Sequence, residues 1–299
     1  MSEEAPPIER LEETSLADAL SAVAETAPLI HHLTNDVTTS ETANVTLHWG
    51  GLPVMADAPA EAGDMAAGAD AVVINTGTAT GTDVDAMIDA GERANEADVP
   101  VVLDPVGYGA TPHRVESVGR LLDAVAFDII KGNVGEVRGL AGEEAAVKGV
   151  ESVDDGGSES SVGDAARALA AETGAAVVAS GPTDVVADVD GRAFELAVGH
   201  ERMGSFVGSG CMLASTLGTV SALTREANAP IATAAEAAVV ATAAYGLAGE
   251  RAAATEPAGP ASFRTAFMDA VAAMATDPPD FDVRDRVSNS EGRNRASDS

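Results

Sequence analysis

The feature that most constrains the fold of this chain is a repeated alternation between short β-branched runs and helical patterns. The β-branched runs lie at 71–75, 99–103, 127–130 and 175–179. Helical patterns lie between them, as at 83–96 and 163–172. Continuous apolar strands separated by helices are typical of a parallel sheet that is covered on both faces. The sequence therefore predicts an α/β fold with a central, mostly parallel sheet and helices on both faces.

We expect one domain over residues 1–299, with a recognisable core over about 28–275. Apolar residues make up 45% of the sequence, which is ample for a core, and the sequence has no internal repeat. Segments 211–223 and 231–247 are almost purely small and apolar, so they are predicted to be closely packed core helices. By composition, segment 153–162 is predicted to be an acidic loop and segment 278–299 a disordered tail.

The charge balance is strongly acidic. The sequence has 48 Asp and Glu residues against 17 Lys and Arg residues, for a net charge of −31. Nucleic acid and anionic membranes would be repelled, so neither is expected as a partner. Acidic excess, scarce lysine and small side chains together resemble proteins from salt-loving organisms, and an acidic mesophilic protein is the alternative.

No targeting or membrane segment is evident in the sequence. Residues 1–10 are acidic and contain no apolar run. Segment 203–224 is uncharged but contains a glycine-rich turn and many hydroxyl residues, so a buried helix is the better interpretation. The single cysteine excludes an intramolecular disulfide. These features predict a cytoplasmic protein.

The strongest local signal is Gly208-Ser209-Gly210-Cys211, directly before a long apolar helix. Glycines let the backbone approach a ligand closely, and the start of a helix presents unpaired N–H groups to an anion. The positive end of the helix dipole at the same place is expected to lower the pKa of the Cys211 thiol. A tight turn with a buried cysteine is the alternative.

Polar groups at strand ends form a second candidate cluster. Asp104 follows one predicted strand, Lys131 follows the next, and Glu136 lies five residues later. Two carboxylates suit a Mg²⁺ ion carried by nucleotide phosphates, and a lysine supplies a point charge for phosphate. Each residue alone would more often be a helix cap or a surface charge. Together at successive strand ends, they predict a metal and phosphate site.

The third candidate cluster lies near the N-terminus. Adjacent His31 and His32 face opposite sides of a strand, so no shared metal site is expected. Asn35 either contacts a small polar ligand or caps the helix that starts near Thr38. No P-loop motif occurs in the sequence.

Several of these motifs, in their order and approximate spacing, resemble the hydroxyethylthiazole kinase family. The likeness runs from about residue 28 to 249, and 148–152 also resembles a loop of that family. The motifs are His32-Leu33-Thr34-Asn35, Pro53-Val54-Met55-Ala56, Asn75-Thr76-Gly77-Thr78, the 102–107 segment VLDPVG, and Gly208-Ser209-Gly210-Cys211.

The resemblance implies a ribokinase-like fold and a homotrimer with active sites between subunits. It implies transfer of the ATP γ-phosphate to the hydroxyl of 4-methyl-5-(2-hydroxyethyl)thiazole, a salvage step toward thiamine. Met55 and Gly208 would contact the thiazole, with Asn35 as a further candidate. Lys131 stands where the family typically has an arginine near the nucleotide phosphates, and Ser180 where it has a threonine that contacts ATP. Serine keeps the hydroxyl, whereas lysine loses the bidentate fork.

The expected mechanism combines this resemblance with the chemistry of phosphoryl transfer. The loop with Gly208 and Gly210 would hold the transferring group, and Mg²⁺ near Asp104 and Glu136 would bridge the ATP phosphates. Cys211 would take the proton of the substrate hydroxyl. Alternatives are a pyrimidine kinase or an ADP-dependent hydrate dehydratase of the same fold, or a non-catalytic thiazole or nucleotide sensor. The pyrimidine kinase and the dehydratase usually carry aspartate where this chain has Cys211, which counts against both.

The charge of −31 predicts stability that depends on salt. We expect the Tm to rise between about 0.1 M and 2 M KCl, because the Debye length falls from about 10 Å to below about 3 Å and screens self-repulsion. Thermal melts across that range measure the effect. A flat Tm would exclude adaptation to high salt.

Overall fold

The computed structural model describes residues 15–143 and 161–289. Within these residues, nine strands form one sheet in the order β2-β1-β3-β4-β5-β6-β7-β8-β9. The strands are β1 (Leu29–Leu33), β2 (Leu52–Val54), β3 (Ala71–Asn75), β4 (Val101–Asp104), β5 (Ile129–Asn133), β6 (Ala176–Ser180), β7 (Asp184–Ala187), β8 (Ala193–Leu196) and β9 (Val287–Asn289).

Helices alternate with the strands through most of the described chain. They are α1 (Leu16–Thr26), α2 (Thr39–Trp49), α3 (Ala62–Ala67), α4 (Gly81–Glu96), α5 (Pro112–Ala124), α6 (Val134–Leu140), α7 (Val162–Thr173), α8 (Ser209–Ser221), α9 (Ala234–Ala254) and α10 (Pro260–Thr276). Three short 3-10 turns complete the described secondary structure, Glu201–Ser205, Ala222–Arg225 and Val283–Arg286.

The sheet is parallel from β2 to β6 and antiparallel from β6 to β9. Separate apolar layers cover its two faces, one including α8, α9 and α10 and the other including α4, α5 and α7. The predicted α/β class, with a mostly parallel sheet between helices, is therefore confirmed. Because parallel strands end at the same edge, the carboxyl ends of β1 and β3 to β6 meet along one side of the molecule.

β3 matches the predicted 71–75 strand at both ends, and the boundaries of β4, β5 and β6 differ from prediction by one to three residues. β4 begins at Val101 rather than at residue 99, because Pro100 lacks the N–H that a ladder needs. β5 runs to Asn133, so Lys131 lies inside the strand instead of just after it. This shift buries the lysine side chain in the sheet.

Helix α8 packs unusually closely against the sheet. A Cβ added at Gly218 would lie 2.4 Å from Cγ2 of Val73 on β3. Glycine is therefore required there by close approach rather than by its backbone freedom. The two predicted small-residue core helices are confirmed as α8 and α9, with α9 running seven residues further than predicted, to Ala254. Among the described residues, no helix is long and apolar enough to span a membrane.

The two polar segments differ in part from their predictions. Residues 278–289 of the predicted tail belong to the fold, since Val283 is buried and β9 pairs antiparallel with β8. Composition could not reveal this pairing, since backbone groups make it. Ser161 caps α7 and Val162 is helical, so the loop ends earlier than predicted. The segments 144–160, which includes the 148–152 motif, and 290–299 lie outside the described residues.

Candidate functional site

Polar side chains converge at the carboxyl edge of the parallel strands. Asn75 and Asp104 end β3 and β4 and are paired in register. Lys131 lies in β5 next to β4, and Asn35 follows β1 by two residues. Because α8 begins over the same edge, these strand ends meet Cys211, which is the third residue of that helix.

The polar groups form a continuous hydrogen-bonded chain across four neighbouring strands. The Asn35 amide donates to Oδ1 of Asn75 at 2.9 Å, and the Asn75 amide donates to Oδ2 of Asp104 at 2.7 Å. Lys131 Nζ donates to Oδ1 of Asp104 at 3.3 Å. All four side chains are buried, with Asp104 fully enclosed. The chain therefore fixes the directions of the polar atoms before any ligand arrives.

Burial and charge act against each other at the Asp104–Lys131 pair. Burial, reinforced by Glu136, raises the pKa of Asp104 to about 6, although Lys131 opposes the rise. Burial alone would lower the pKa of Lys131, but Asp104 and Glu136 outweigh it and the pKa is raised. The ammonium is therefore retained at neutral pH in an enclosed site that contains two acids.

Cys211 is partly buried among these groups. The Asn35 amide donates to its Sγ at 3.4 Å. Burial first, and then the charge of Asp104, raise the pKa of the thiol, while Thr38, Lys131 and Asn75 partly oppose the rise. The expectation that the helix start would lower this pKa was wrong, because the sequence did not show that the thiol is enclosed beside a carboxylate.

The glycine loop lies directly against Lys131. Gly208 adopts φ +93°, which favours glycine, and a Cβ there would lie 3.0 Å from Cγ2 of Thr38. A Cβ on Gly210 would lie 2.9 Å from Lys131 Nζ. No side chain of the described residues caps α8, so its first N–H groups remain available. A helix start and an ammonium therefore face the same space, which suits an anion.

Glu136 lies in the first turn of α6 rather than at a bare strand end. Its Oε1 accepts from the Gly107 N–H and its Oε2 from the Asn133 N–H, both at 2.7 Å. It therefore acts as a helix cap, which was the simpler interpretation of this residue, and it still lies close to Asp104 and Lys131.

The two carboxylates have the chemistry that a magnesium ion requires. The oxygens of Asp104 accept from Asn75 and Lys131, and those of Glu136 accept from Gly107 and Asn133. A carboxylate offers about four lone-pair sites, so acceptor capacity remains at both residues. Magnesium takes oxygen ligands and keeps several waters. Binding through water fits this donor set, whereas direct ligation by Asp104 would compete with Lys131. No cluster of three or more metal-ligating side chains occurs in the described residues.

Asn35 takes the helix-capping side of its two predicted roles, and contact with a ligand stays a prediction. Its Oδ1 accepts from the N–H groups of Val37 and Thr38, both at 3.1 Å, which orders the turn before α2. Its amide nitrogen meanwhile faces Asn75 and Cys211. Helix α2 therefore begins at Thr39, after a turn that Asn35 Oδ1 stabilises. The amide nitrogen of the same side chain lies in the site.

Met55 and Ser180 occupy the two flanks of the site edge. Met55 is half-buried and follows β2 at the end of the sheet, where His31 Nε2 lies 2.8 Å from the Ala56 carbonyl. Ser180 ends β6, and its Oγ donates to the Gly132 carbonyl at 3.3 Å. Met55 and Ser180 thus follow or end strands on opposite sides of the polar chain.

The paired histidines contact opposite sides of β1, as their spacing predicts. His31 contacts Ala56, and His32 Nε2 lies 3.2 Å from Oγ1 of Thr46. Burial lowers the pKa of His31, and it lowers the pKa of His32 to about 3. Both rings are therefore neutral near pH 7 and serve the packing around β1.

Sequence reasoning missed three residues of this site. Asn75 is the centre of the amide chain, and the rule on strand ends could have found it. The Tyr245 hydroxyl donates to the Ser209 carbonyl at 2.7 Å and so supports the glycine loop. The Asp184 carboxylate accepts from the Gly181 N–H at 2.9 Å and closes the turn after Ser180. Tyr245 gave no local signal, because it lies within an apolar helix 36 residues away.

Comparisons with known proteins agree on one family. The model of the "Hydroxyethylthiazole kinase family" matches residues 20–277. A hydroxyethylthiazole kinase from Natronomonas pharaonis is 46% identical over 266 residues, covering 89% of this chain and 92% of the relative. The enzyme of the same name from Haloquadratum walsbyi is 44% identical over 281 residues, covering 93% of each.

Solved structures give the same result. The hydroxyethylthiazole kinase protein from Pyrococcus horikoshii matches with a TM-score of 0.77 at 33% identity, covering 92% of this chain and 98% of that one. A Bacillus subtilis ADP/ATP-dependent NAD(P)H-hydrate dehydratase has a TM-score of 0.52 at 14% identity, covering 83% of this chain and 88% of that one, and shares only the ribokinase-like fold. By the family match, the relatives and the fold together, this chain belongs to the hydroxyethylthiazole kinase family.

Proposed function

We propose that this kinase transfers the γ-phosphoryl group of ATP to the hydroxyl of 4-methyl-5-(2-hydroxyethyl)thiazole, a salvage step toward thiamine. The observation that carries the proposal is the start of α8, where Lys131 Nζ lies against Gly210 and a thiol follows at the next residue. One helical turn thus offers an anion site beside a proton acceptor. A sensor of thiazole or nucleotide would require only the first of these.

The phosphoryl group would lie between the glycine loop and Lys131. The N–H groups at the start of α8, between Gly208 and Gly210, would donate to its oxygens, while the ammonium offsets the charge that spreads over them. Ser180 and Lys131 would contact ATP. This arrangement needs no reorganisation on binding, because the Asp104 contact already holds the ammonium in place.

Asp104 and Glu136 would hold magnesium through water. When bound, Mg²⁺ would supply positive charge that offsets the negative charge of the nucleotide phosphates. The two carboxylates orient that charge toward the same edge at which Lys131 and the start of α8 lie.

The thiazole would lie on the β2 side of the site. Met55, Gly208 and Asn35 are the proposed contacts, with the Met55 thioether as the flexible apolar surface for the ring. In this position the substrate hydroxyl faces Cys211. The hydroxyl oxygen forms the new bond to phosphorus, the bond to the ADP oxygen breaks, and the hydroxyl proton moves to the ionised Sγ, which becomes a neutral thiol.

Replacement of the Cys211 thiol tests its role as proton acceptor, and ADP release with the thiazole alcohol measures the effect. Cys211→Ala and Cys211→Ser should each lose about 10²–10⁴-fold in kcat with little change in KM, as removal of a general base does. Because burial and the charge of Asp104 raise the thiol pKa, only a small fraction of the thiol is ionised at neutral pH. The parent rate should therefore rise from pH 6.5 to 8.5.

Cys211→Asp is the matched comparison, because a carboxylate is ionised at neutral pH. It should retain activity or exceed the parent, with a flatter pH profile. If Cys211→Ala kept more than about a tenth of kcat, the thiol would only be packing, since a general base contributes at least ~10²-fold. If the parent released no ADP with this alcohol, the substrate assignment would be wrong.

A second prediction separates the two substrate sides. Met55→Ala should raise the KM for the thiazole roughly tenfold, because burial of a Met side chain stabilises by about 1.5–3 kcal/mol. Lys131→Ala should raise the KM for ATP roughly 10–100-fold, the range for a charged hydrogen bond. It should also lower stability by about 3–5 kcal/mol, because Asp104 loses its buried partner.

Lys131→Arg is the control for the Asp104 pair, since it keeps the charge and restores a bidentate fork for phosphate. It should keep the Tm near that of the parent and lower or preserve the KM for ATP. Steady-state kinetics and thermal melts measure both effects. Equal KM changes for both substrates in Met55→Ala and Lys131→Ala would refute the division of roles.

We further propose a homotrimer with active sites between subunits. Val37 and Val207 are 62% and 70% exposed, although each adjoins a site residue, Thr38 or Gly208. A neighbouring subunit would cover this apolar surface. Light scattering should give the mass of three chains, and Val207→Asp should lower both that mass and the activity. A monomeric parent with full activity would contradict the trimer.

The working environment follows from the substrate and the charge. We propose that the kinase acts in the cytoplasm, where ATP is available. We propose further that this cytoplasm is rich in salt. The acidic excess supports the second part, and the thermal melts in KCl test it. Activity that sediments with the membrane fraction of the source cells would contradict the first.

A further inference from the structure

The Asn75 side chain is the branch point of the polar chain in the site. It is the last residue of β3 and is only 1% exposed. Its amide nitrogen donates to Asp104 Oδ2 at 2.7 Å. Its oxygen accepts from the Asn35 amide at 2.9 Å and from the Gly77 N–H at 3.0 Å. One side chain thus joins the ends of three strands.

Both amides also face the Cys211 sulfur. Asn35 Nδ2 donates to Sγ at 3.4 Å, and its other contact is Asn75 Oδ1. The Asn75 amide lies beside the same thiol. An amide N–H can only donate, so these contacts leave the sulfur as the acceptor.

The Asp104 carboxylate has the opposite effect, because it is an acceptor for the thiol proton. Asp104 lies close enough to accept from the thiol, and its charge disfavours ionisation of the sulfur. Its two oxygens are held by separate donors, Lys131 at Oδ1 and Asn75 at Oδ2. Without Asn75, Oδ2 would lose its donor, and the thiol proton would be the nearest replacement.

We propose that Asn75 is a positioning residue that holds the Asp104 carboxylate and the Asn35 amide so that the Cys211 sulfur is kept as a hydrogen-bond acceptor. The inference rests on the proposed role of Cys211 and goes beyond it by naming the group that maintains that role. Asn75 touches no reacting atom in this scheme. It acts through Cys211, so it serves turnover rather than the binding of either substrate.

A purely structural role is the competing explanation, since buried polar groups generally require partners. Two substitutions separate the explanations. Asn75→Asp keeps an oxygen that accepts from Asn35 and Gly77, but it removes the amide N–H that donates to Asp104. Asn75→Leu removes both functions at similar volume. Asn44→Asp is the control for an added charge, because Asn44 is exposed on α2 and bonds only within its own helix.

The kinetic test is a double-mutant cycle with Cys211→Ala. Asn75→Asp should lower kcat by about 10²-fold, within the range of a lost general base, with each KM changed by less than about threefold. In the Cys211→Ala background, the same change should cost less than about threefold more, because residues that act as a unit are not additive. Full multiplication of the two losses, or a rise in KM at unchanged kcat, would overturn the proposal.

A second measurement needs no substrate. Cys211 is the single cysteine of the sequence, so alkylation by iodoacetamide at one fixed pH reports on this sulfur alone. Loss of a donor network should slow alkylation roughly fivefold in Asn75→Asp and Asn75→Leu, and leave Asn44→Asp like the parent. Thermal melts in the same buffer establish that each variant is folded.

The two measurements distinguish failure of this inference from failure of the proposed function. Slower alkylation in a folded Asn75→Leu, which adds no charge beside the thiol, supports the positioning role even if the parent phosphorylates no thiazole alcohol. Unchanged alkylation overturns the positioning role even if the parent is an active kinase. If Asn75→Asp does not fold, Asn75→Leu decides by the same two readouts.

Discussion

The buried ion pair between Asp104 and Lys131 is the interaction on which the site depends. Both side chains are almost fully enclosed, and the sheet places them on neighbouring strands. Two charges in such a place are costly unless each satisfies the other, and removal of one partner typically costs about 3–5 kcal/mol. The pair therefore fixes a positive group beneath the start of α8 and a negative group beside the only thiol.

The parallel sheet makes this arrangement possible. Its strand ends share one edge, so four residues that are distant in sequence form one polar chain there. Helix α8 then brings its open N-terminus over that edge, and Gly218 allows the helix to pack tightly on β3. Because close packing of small residues sets the height of the helix, the glycine loop lies within contact distance of Lys131.

The electrostatic character of the thiol shows how local and tertiary effects compete. A helix start favours an anion, and this local rule predicts an ionisable Cys211. Burial and the Asp104 charge are stronger in the folded protein, and they raise the thiol pKa. Thr38, Lys131 and the Asn75 amide act against that rise. The sulfur is thus held between donors and a carboxylate rather than governed by the helix alone.

The sequence by itself determined the α/β class, the two small-residue helices and the edge at which Asp104 and Lys131 lie. These follow from periodicity and from the residues that end the strands, which are local properties. Tertiary structure alone decided the burial of Lys131 inside β5, the capping role of Glu136, the support from Tyr245 and the β9 pairing of the tail. Each of these depends on contacts between segments far apart in the chain. Burial and through-space charge, which set the pKa of Cys211, are likewise properties of the assembled neighbours and are not encoded in any one stretch of residues.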